Sequence, residues 1–493
     1  MNKSTGQLRH AILFIALFVL AKTAAAAKLT EYRSENFIVY SDYPATRVNA
    51  LLQKFETFRL GVLAYTLLET REENPAMRIF MFRSKKEFAA FAEDSGVAGF
   101  YRNGWEGPRM VIGPGTSVMT VESILFHEYF HYLLRERSGL RYPKWYDEGF
   151  AEVLSTAEVE ENDVVIGAVP SERIEFLRHS DGLPLPLKEI LAPQPLTSDM
   201  DAGQYWGAFY ATSWLFTHYL QLGFLSGFPD YSDKVRSFIL ALNRGESPLD
   251  AFPDYFGKSL QEIEEELRRY KATESLSGVR FHVTEYNGFI VRRRLEHNER
   301  IAELAELAAA CGKRQVALKY LNRSRPNQRL GAKNLALLAT LNQFYQPRAA
   351  HEAITLAENL ESDSRAVTHI AGYYYETLAG RVEQGHWDED SFSKVIEFAD
   401  KALSLDASYM PAYRMKWRAQ QLKGKRISAL KTMMQAYQRH PTHVLLNLEI
   451  GVYLAQGKSP VYAIPFLHKV ASSSDNSLII KSARDLIESI EEF

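Results

Sequence analysis

Hydrophobic residues in the first part of the chain form short strand-like runs separated by stretches with helical spacing. Residues 36–41 (NFIVYS) and 77–82 (MRIFMF) are rich in β-branched and aromatic side chains, which is typical of strands. Between them, apolar residues recur at helical spacing over 45–69 and predict a helix. A capping box from Ser84 to Glu87 predicts the start of a second helix. This mixture of strands and helices predicts a domain of the α+β class.

Longer helical patterns follow these segments. A glycine-rich stretch at 96–108 leads into a short strand, RMVIG, at 109–113. Beyond it, apolar residues at helical spacing predict a series of helices at 118–137, 145–156, 202–222, 231–243 and 259–271. We therefore expect the strands to lie early in this domain and the helices to follow them.

The last part of the chain is helical throughout and repeats itself. Ala402, Ala436 and Val470 follow one another at intervals of 34 residues. Small residues at this period, in helices joined by turns, are typical of tetratricopeptide repeats. A generic bundle of antiparallel helices is the alternative. We expect stacked helix pairs, an all-α solenoid, over 297–493.

The N-terminal residues have a composition of their own. Basic residues precede an apolar run from Ala11 to Ala21, and the alanines at 24–27 supply an A-x-A cleavage site. We therefore expect a signal peptide at 1–27 and a periplasmic or secreted protein with no integral membrane span after cleavage. An uncleaved membrane anchor is the alternative, but the apolar run is well short of the roughly 20 residues that a spanning helix needs.

These boundaries divide the chain into successive units. A first domain is expected at 28–275, a linker at 276–296 and the helical repeat domain from 297 onward. The 58 basic and 60 acidic residues balance, so the charge gives no reason to expect a nucleic-acid partner. Cys311 is the single cysteine of the 493 residues, which excludes an intrachain disulfide and a cysteine-based zinc cluster.

Residues 127–131 read HEYFH within a predicted apolar helix. His127 and His131 are four positions apart and lie on one helical face, from which both imidazoles can reach a single metal ion. Glu128 lies beside that face, where a carboxylate can act as a general base without being a ligand. Two histidines packed in a protein core are the alternative interpretation.

The next predicted helix supplies a carboxylate that completes a zinc site. Glu148 follows His131 by 17 positions in the segment KWYDEGFAEVL. Hydrolytic zinc sites use three protein ligands and keep a position open for water, so Glu148 and the two histidines form a candidate set. Glu152, one turn later, can accept a hydrogen bond from a ligand imidazole. A solvated acidic face is the alternative, which the surrounding aromatic residues disfavour.

HEYFH followed by PKWYDEGFAE resembles the gluzincin metallopeptidases, the group of thermolysin and aminopeptidase N. It is more similar still to the bacterial peptidase MA-like families, which join such a domain to tetratricopeptide repeats. The resemblance spans about 35–270 and includes the downstream segment FYATSWLFTHYL at 209–220. It implies a fold that binds Zn²⁺ through the two histidines and Glu148, with Glu128 as the general base.

The resemblance also implies that the downstream helix faces the zinc site. Tyr210 is therefore our candidate for stabilising the oxyanion, with Tyr205 as the second choice. The alternative is that these tyrosines pack in an aromatic helix. His218 on the same helix is expected to be structural or exposed rather than catalytic.

Two departures from the family pattern refine the expectation. Only 16 residues separate His131 from Glu148, fewer than in thermolysin-like or aminopeptidase-like members. No GAMEN-type segment, which binds a free substrate N-terminus in aminopeptidases, precedes HEYFH. An endopeptidase is therefore favoured over an aminopeptidase. The strand at 109–113 could hold an extended peptide as a sheet edge, or it could simply be one strand of the sheet.

Together these features predict an exported zinc metallopeptidase of α+β class, gluzincin-like, followed by a tetratricopeptide-like solenoid. It would hydrolyse peptide bonds with a zinc-activated water and Glu128 as general base. The repeats would bind protein partners or the protein substrate. The alternative is a non-catalytic binding or scaffold protein with a structural or inactive metal site. Glu128 favours catalysis, because zinc used only for stability has no need of this carboxylate.

Overall fold

The structure is a computed structural model that describes residues 29–68, 76–93, 96–117, 119–137, 140–169, 177, 182–191, 202–273, 276–323, 331–360, 363–473 and 477–491. The predicted signal peptide lies outside these described residues. Within them, no helix is both long enough and apolar enough to cross a membrane.

A six-stranded mixed sheet forms the centre of the first region. Its strands are β1 (Thr30–Arg33), β2 (Phe37–Ser41), β3 (Met77–Met81), β4 (Gly99–Gly104), β5 (Gly107–Ile112) and, much later in the chain, β9 (Val291–Arg294). Their order is β4-β5-β3-β2-β1-β9. β2, β3 and β5 are parallel, and the outer pairs are antiparallel. Residues 109–112 of the predicted strand lie in β5, which is an interior strand and not an edge; β4 forms one edge of the sheet and β9 the other.

The parallel strands are buried on both faces of this sheet. Every residue of β3 is buried, which explains the unbroken apolar pattern of its sequence. Successive side chains point to opposite faces, so Ile79 and Met81 enter one core while Phe80 enters another. The sheet therefore requires cover on both sides.

Nine α-helices belong to the described part of this region. They are α1 (Ala45–Thr66), α2 (Lys85–Phe88), α3 (Val121–Arg137), α4 (Lys144–Ser155), α5 (Leu187–Leu191), α6 (Ala202–Leu222), α7 (Ser232–Asn243), α8 (Pro248–Phe256) and α9 (Leu260–Lys271). All of them except α2, whose Phe88 joins the core on the second face, contribute to the core on the first face. Ser84 accepts a hydrogen bond from the backbone N–H of Glu87 and thereby caps α2. The α+β class is confirmed, whereas the sequence patterns did not predict β1, β4, β9, α5 or α8.

A small antiparallel sheet lies beside the helices. It contains β6 (Glu158–Glu160), β7 (Asp163–Ile166) and β8 (Val279–His282), in that order. β8 pairs with β7, and β9 pairs with β1 of the main sheet. Both strands fall in 276–296, the segment expected to be a linker. This segment is thus an integral part of the two sheets rather than a spacer between domains.

From His297 onward the described chain is helical and arranged in pairs. The helices are α10 (His297–Ala310), α11 (Arg314–Leu321), α12 (Ala332–Asn342), α13 (Pro347–Glu358), α14 (Ser364–Glu383), α15 (Glu389–Leu405), α16 (Met410–Leu422), α17 (Arg426–Arg439), α18 (Val444–Ala455), α19 (Ile464–Ser473) and α20 (Ser477–Glu491). Ala402, Ala436 and Val470 are fully buried at matching places in α15, α17 and α19. The 34-residue interval therefore marks positions where helices pack closely.

The helical region covers the second face of the main sheet. Ile301 and Leu304 of α10 share a core with Tyr40, Phe80 and Val111 of the parallel strands. Residues of α12, α14 and α16, each the first helix of its pair, line cavities against the sheet and the β4–β5 hairpin. The two regions are thus joined by a shared hydrophobic core.

Candidate metal centre

α3 and α4 lie side by side and bring the predicted metal ligands together. His127 and His131 are buried on α3, and α4, which begins after Pro143, places Glu148 opposite them. One donor atom from each of the three residues lies within 4.8 Å of the others. The candidate ligands separated along the sequence therefore form one group in the fold.

The spacing of the donor atoms fits a tetrahedral metal. The Nε2 atoms of His127 and His131 are 3.0 Å apart, and Glu148 Oε2 lies 3.5 Å and 3.6 Å from them, respectively. Neighbouring donors around Zn²⁺, with bond lengths of about 2.1 Å, are roughly 3.4 Å apart. Two imidazoles and one carboxylate are also a donor set that Zn²⁺ accepts readily. The residues present therefore fit a zinc ion.

Asp147, the residue before Glu148, orients the second histidine. Its Oδ1 is 2.7 Å from His131 Nδ1, and its Oδ2 is 3.4 Å from Nη2 of Arg135. Because the carboxylate holds Nδ1, the Nε2 atom is left to face the metal position. Burial alone would lower the pKa of His131, but Asp147 and Glu148 outweigh it and raise this pKa to about 10. Burial conversely raises the pKa of Asp147, but His131 and Arg135 together bring this pKa below its ordinary value.

Glu152, which lies on α4 like Asp147, approaches His127 of α3. Its Oε1 lies 3.7 Å from His127 Nδ1, a distance longer than a hydrogen bond. His127 Nδ1 is buried and forms no hydrogen bond within the described residues. Glu152, the expected partner, therefore lies close to the imidazole of His127 but at a greater distance than that of Asp147 from His131.

The pKa of Glu148 reflects its position between the two histidines. Burial raises this pKa, but hydrogen bonds from the two imidazoles bring it well below its usual range.

Glu128 lies on the stripe of α3 that faces the edge strand β4. Ile124, one turn earlier, lies against Gly99 of that strand. The ring of Tyr132, one turn later, is 5.7 Å from the ring of Tyr101. Residues four apart share a helical face, so the half-buried Glu128 lies between these two contacts. Glu128 is thus placed on the side of α3 that faces the sheet edge, one position along the helix from His127.

A close contact between α4 and α6 determines how α4 presents its carboxylates. A Cβ atom on Gly149 would lie 2.3 Å from the backbone oxygen of Ser213 and 2.4 Å from the Thr217 hydroxyl. Trp145 of α4 and Phe216 of α6 pack alongside, with ring centroids 4.7 Å apart. Glycine is therefore required here, and the contact fixes the rotation of α4 about its axis.

The tyrosines proposed for the oxyanion lie on α6. The ring of Tyr210 packs against Trp206 and Phe209 of the same helix. Tyr205 is buried next to Trp206. A role for either phenol in stabilising an oxyanion stays a prediction.

His218, also on α6, has a structural environment. Its Nδ1 is 2.7 Å from the Tyr270 hydroxyl, and its Nε2 is 2.9 Å from the backbone oxygen of Gly167. Burial lowers the pKa of His218 to about 4. The side chain is therefore a neutral, fully hydrogen-bonded group that joins α6 to α9 and to Gly167, the residue after β7.

A second group of potential ligands lies at the junction with the helical region. Oxygens of Glu106 and Glu306 and a nitrogen of His369 lie within 4.8 Å of one another. These carboxylates already contact three arginines, Arg78, Arg109 and Arg365. Burial and Arg365 lower the pKa of His369 to about 3. The surrounding positive charge opposes a cation, so this group is an ion-pair network that joins sheet and helices.

The sequence pattern indicated Glu152, and not Asp147, as the carboxylate that supports a candidate ligand. The sequence of α3 does point to a carboxylate beside His131, because His131 and Arg135 are four positions apart and can both contact one acidic side chain.

Comparisons of the chain with protein families, curated proteins and solved structures find no match.

Proposed function

We propose that this protein is an exported zinc metallopeptidase that acts as an endopeptidase. The observation that carries the proposal is the convergence of His127 Nε2, His131 Nε2 and Glu148 Oε2 at separations of 3.0–3.6 Å. Two imidazoles and a carboxylate, with one position left for water, are typical of catalytic rather than structural zinc. Glu128, beside these ligands, supplies a carboxylate that a purely structural site would not need.

The residues around the ligands have distinct roles in this proposal. Zn²⁺, when bound, supplies a Lewis acid that lowers the pKa of water and polarises a substrate carbonyl. Glu128 accepts a proton from the attacking water and delivers it to the leaving amine. Asp147 holds His131 in the tautomer that a ligand requires. Tyr210 is the proposed donor to the developing oxyanion.

The edge strand supports a peptide as the substrate. No further strand pairs with β4 among the described residues, and Glu128 lies beside it. An extended peptide can add to such an edge through backbone hydrogen bonds. Because an edge can hold the chain on both sides of the scissile bond, this arrangement favours internal cleavage.

The helical region is proposed to be a tetratricopeptide-like solenoid. Its support is the stacking of helix pairs and the burial of Ala402, Ala436 and Val470 at 34-residue intervals. Stacked repeats of this kind bind proteins through extended surfaces. A protein partner or the substrate itself is therefore the proposed ligand class of this region.

Replacement of Glu128 by Gln tests the enzymatic proposal. We expect one zinc ion per chain in both the parent protein and Glu128→Gln, because this carboxylate is not a ligand. Cleavage of a broad peptide library should fall by about 10²- to 10⁴-fold in the variant, since a general base is lost. Metal analysis and mass spectrometry of the digested library measure the two quantities.

Glu122→Gln is a matched control on the same helix. Glu122 forms an ion pair with Lys54 at 2.6 Å, away from the ligands, and its replacement should preserve both zinc and activity. A parent protein without zinc would refute the metal assignment. Zinc binding without any peptide cleavage would instead support a non-catalytic scaffold, and equal cleavage by Glu128→Gln would remove Glu128 from the mechanism.

A further inference from the structure

The turn of the β4–β5 hairpin inserts an aromatic side chain into the helical region. The ring of Trp105 lies 5.8 Å from Trp417 of α16, edge to face, and is stacked 5.3 Å from His443, which precedes α18. The guanidinium carbon of Arg414 is 4.4 Å from the centre of the same ring. We call Trp417, His443 and Arg414 the Trp105 cage. Aromatic and cation–π contacts thus combine on one side chain.

The cage is held in place by contacts within the helical region. Trp417 is fully buried, and its Nε1 donates to Glu449 Oε2 at 2.7 Å. Arg414 Nε lies 3.4 Å from the other oxygen of Glu449. His443 donates from Nε2 to the backbone oxygen of Gly104 at 3.2 Å, so the cage binds the backbone of the turn as well as the ring. Glu449 therefore orients two of the three cage residues, and the third binds the backbone of the hairpin.

The other end of the hairpin lies beside the proposed general base. β4 contacts α3 through Gly99 and Tyr101, on the stripe that carries Glu128. This strand is only six residues long and ends immediately before Trp105. Because β4 and β5 are paired along their whole length, a movement of the turn displaces the edge next to Glu128.

We propose that the inner face of the helical repeats is an intramolecular receptor for this hairpin turn, and that Trp105 is a positioning residue for the peptide-binding edge. Part of the face formed by the first helices of the pairs is thus occupied by the chain's own hairpin. The positioning role rests on the proposed function. The docking of the turn does not, because it is measured without any catalytic readout.

Hydrogen–deuterium exchange of the hairpin amides, residues 99–112, tests the docking in the full chain. We expect about tenfold faster exchange in Trp105→Ala, because the variant loses one aromatic pair and one cation–π contact that stabilise the docked turn. Trp105→Phe should retain most of the protection. Trp387→Ala, which removes a ring that is 42% exposed in another turn, is the control and should leave the hairpin unchanged.

A variant on the receptor side separates docking from general loss of folding. Arg414→Ala should also accelerate exchange in the hairpin, and the double variant with Trp105→Ala should add little to the single ones, because both remove one interaction. The docking would be overturned if the two substitutions increased the exchange rate of the hairpin amides in a fully additive way, or if Trp105→Ala left that rate unchanged.

Peptide cleavage with the same variants tests the positioning role. We expect Trp105→Ala to raise KM about tenfold, with a smaller change in kcat and unchanged zinc content, because a displaced edge binds an extended peptide less well. Trp105→Phe should restore KM. Faster hairpin exchange with an unaltered KM would overturn the positioning role. A parent protein that cleaves no peptide would refute the proposed function, and the exchange measurements would still decide the docking.

Discussion

Each candidate ligand histidine lies beside a different carboxylate of α4, and the two distances are unequal. Asp147 Oδ1 is 2.7 Å from His131 Nδ1, whereas Glu152 Oε1 is 3.7 Å from His127 Nδ1. A carboxylate at hydrogen-bond distance fixes the tautomer and the orientation of a ligand imidazole. At the scale of single residues, Asp147 should therefore contribute more to metal affinity than Glu152.

Asp147→Asn should lower the affinity for Zn²⁺ by about 10- to 100-fold, because the amide keeps the shape but loses the charge that holds His131. Competition with a chromogenic chelator measures this affinity. Glu152→Gln is the matched variant beside the other histidine and should cause a smaller loss. An equal or larger loss in Glu152→Gln would contradict the order of importance inferred from the distances.

At the scale of elements, the packing of α4 on α6 depends on one missing side chain. A methyl group on Gly149 would be 2.3 Å from the backbone oxygen of Ser213, and a backbone atom cannot move aside without displacing its helix. Gly149→Ala should therefore lower the free energy of unfolding by about 1–3 kcal/mol, as overpacked cores do. It should also weaken zinc binding, because α4 carries Glu148. Urea denaturation followed by circular dichroism measures the first effect.

Gly380→Ala provides the control for this prediction. Gly380 lies in α14, and no atom lies within 4 Å of the position that its Cβ would take. Alanine there should stabilise the helix by about 0.5–1 kcal/mol, since glycine loses more backbone entropy on folding. Similar destabilisation by both substitutions would show that close packing at Gly149 is not the cause.

Strand signals were weaker than helix signals in this chain, for a physical reason. β9 reads VRRR and is exposed along its length, so it has no apolar alternation to detect. It is a strand because its backbone pairs with β1, from Thr30 to Arg33. β4 begins and ends in glycine and pairs with β5 in the same way. Such strands form because of the neighbouring strand with which they pair. A helix, in contrast, makes its backbone hydrogen bonds within its own segment, so its own sequence predicts it better.

At the scale of the whole molecule, the buried His218 and His443 join distant parts of the fold, and the half-buried His369 lies where the sheet meets the helices. Burial lowers the pKa of His218 and of His443 to about 4 and that of His369 to about 3. Unfolded, each titrates near pH 6.5, so the unfolded chain binds more protons at lower pH. The contribution of these neutral imidazoles to the free energy of unfolding is therefore full above about pH 6.5. It is lost as the pH falls from there towards 4, because the unfolded chain takes up protons that the folded chain does not.

His443→Gln should reduce this acid sensitivity, because it removes one of the three titrating groups. The difference in urea midpoint between pH 7 and pH 4.5 should be smaller in the variant than in the parent chain. His468→Gln alters an exposed histidine of α19 and should leave the difference unchanged. An identical acid-induced loss in His443→Gln and the parent would exclude this imidazole as a source of the pH dependence.

The sequence by itself determined the features that depend on local geometry. The spacing of His127 and His131 places them on one helical face wherever that helix lies, and a 34-residue interval marks helix pairs. Apolar periodicity identified most of the helices for the same reason. Glu148 could be proposed as a third ligand because it follows on the next helix with suitable chemistry.

Only the tertiary structure decided the features that require distant segments to meet. It brought Asp147 closer to its imidazole than Glu152, made β4 the edge strand, and joined 276–296 to the two sheets. The hydrogen bond between Gly104 and His443 joins residues 339 positions apart. No local pattern specifies such a contact, because it depends on how the sheet and the helices pack on their shared core.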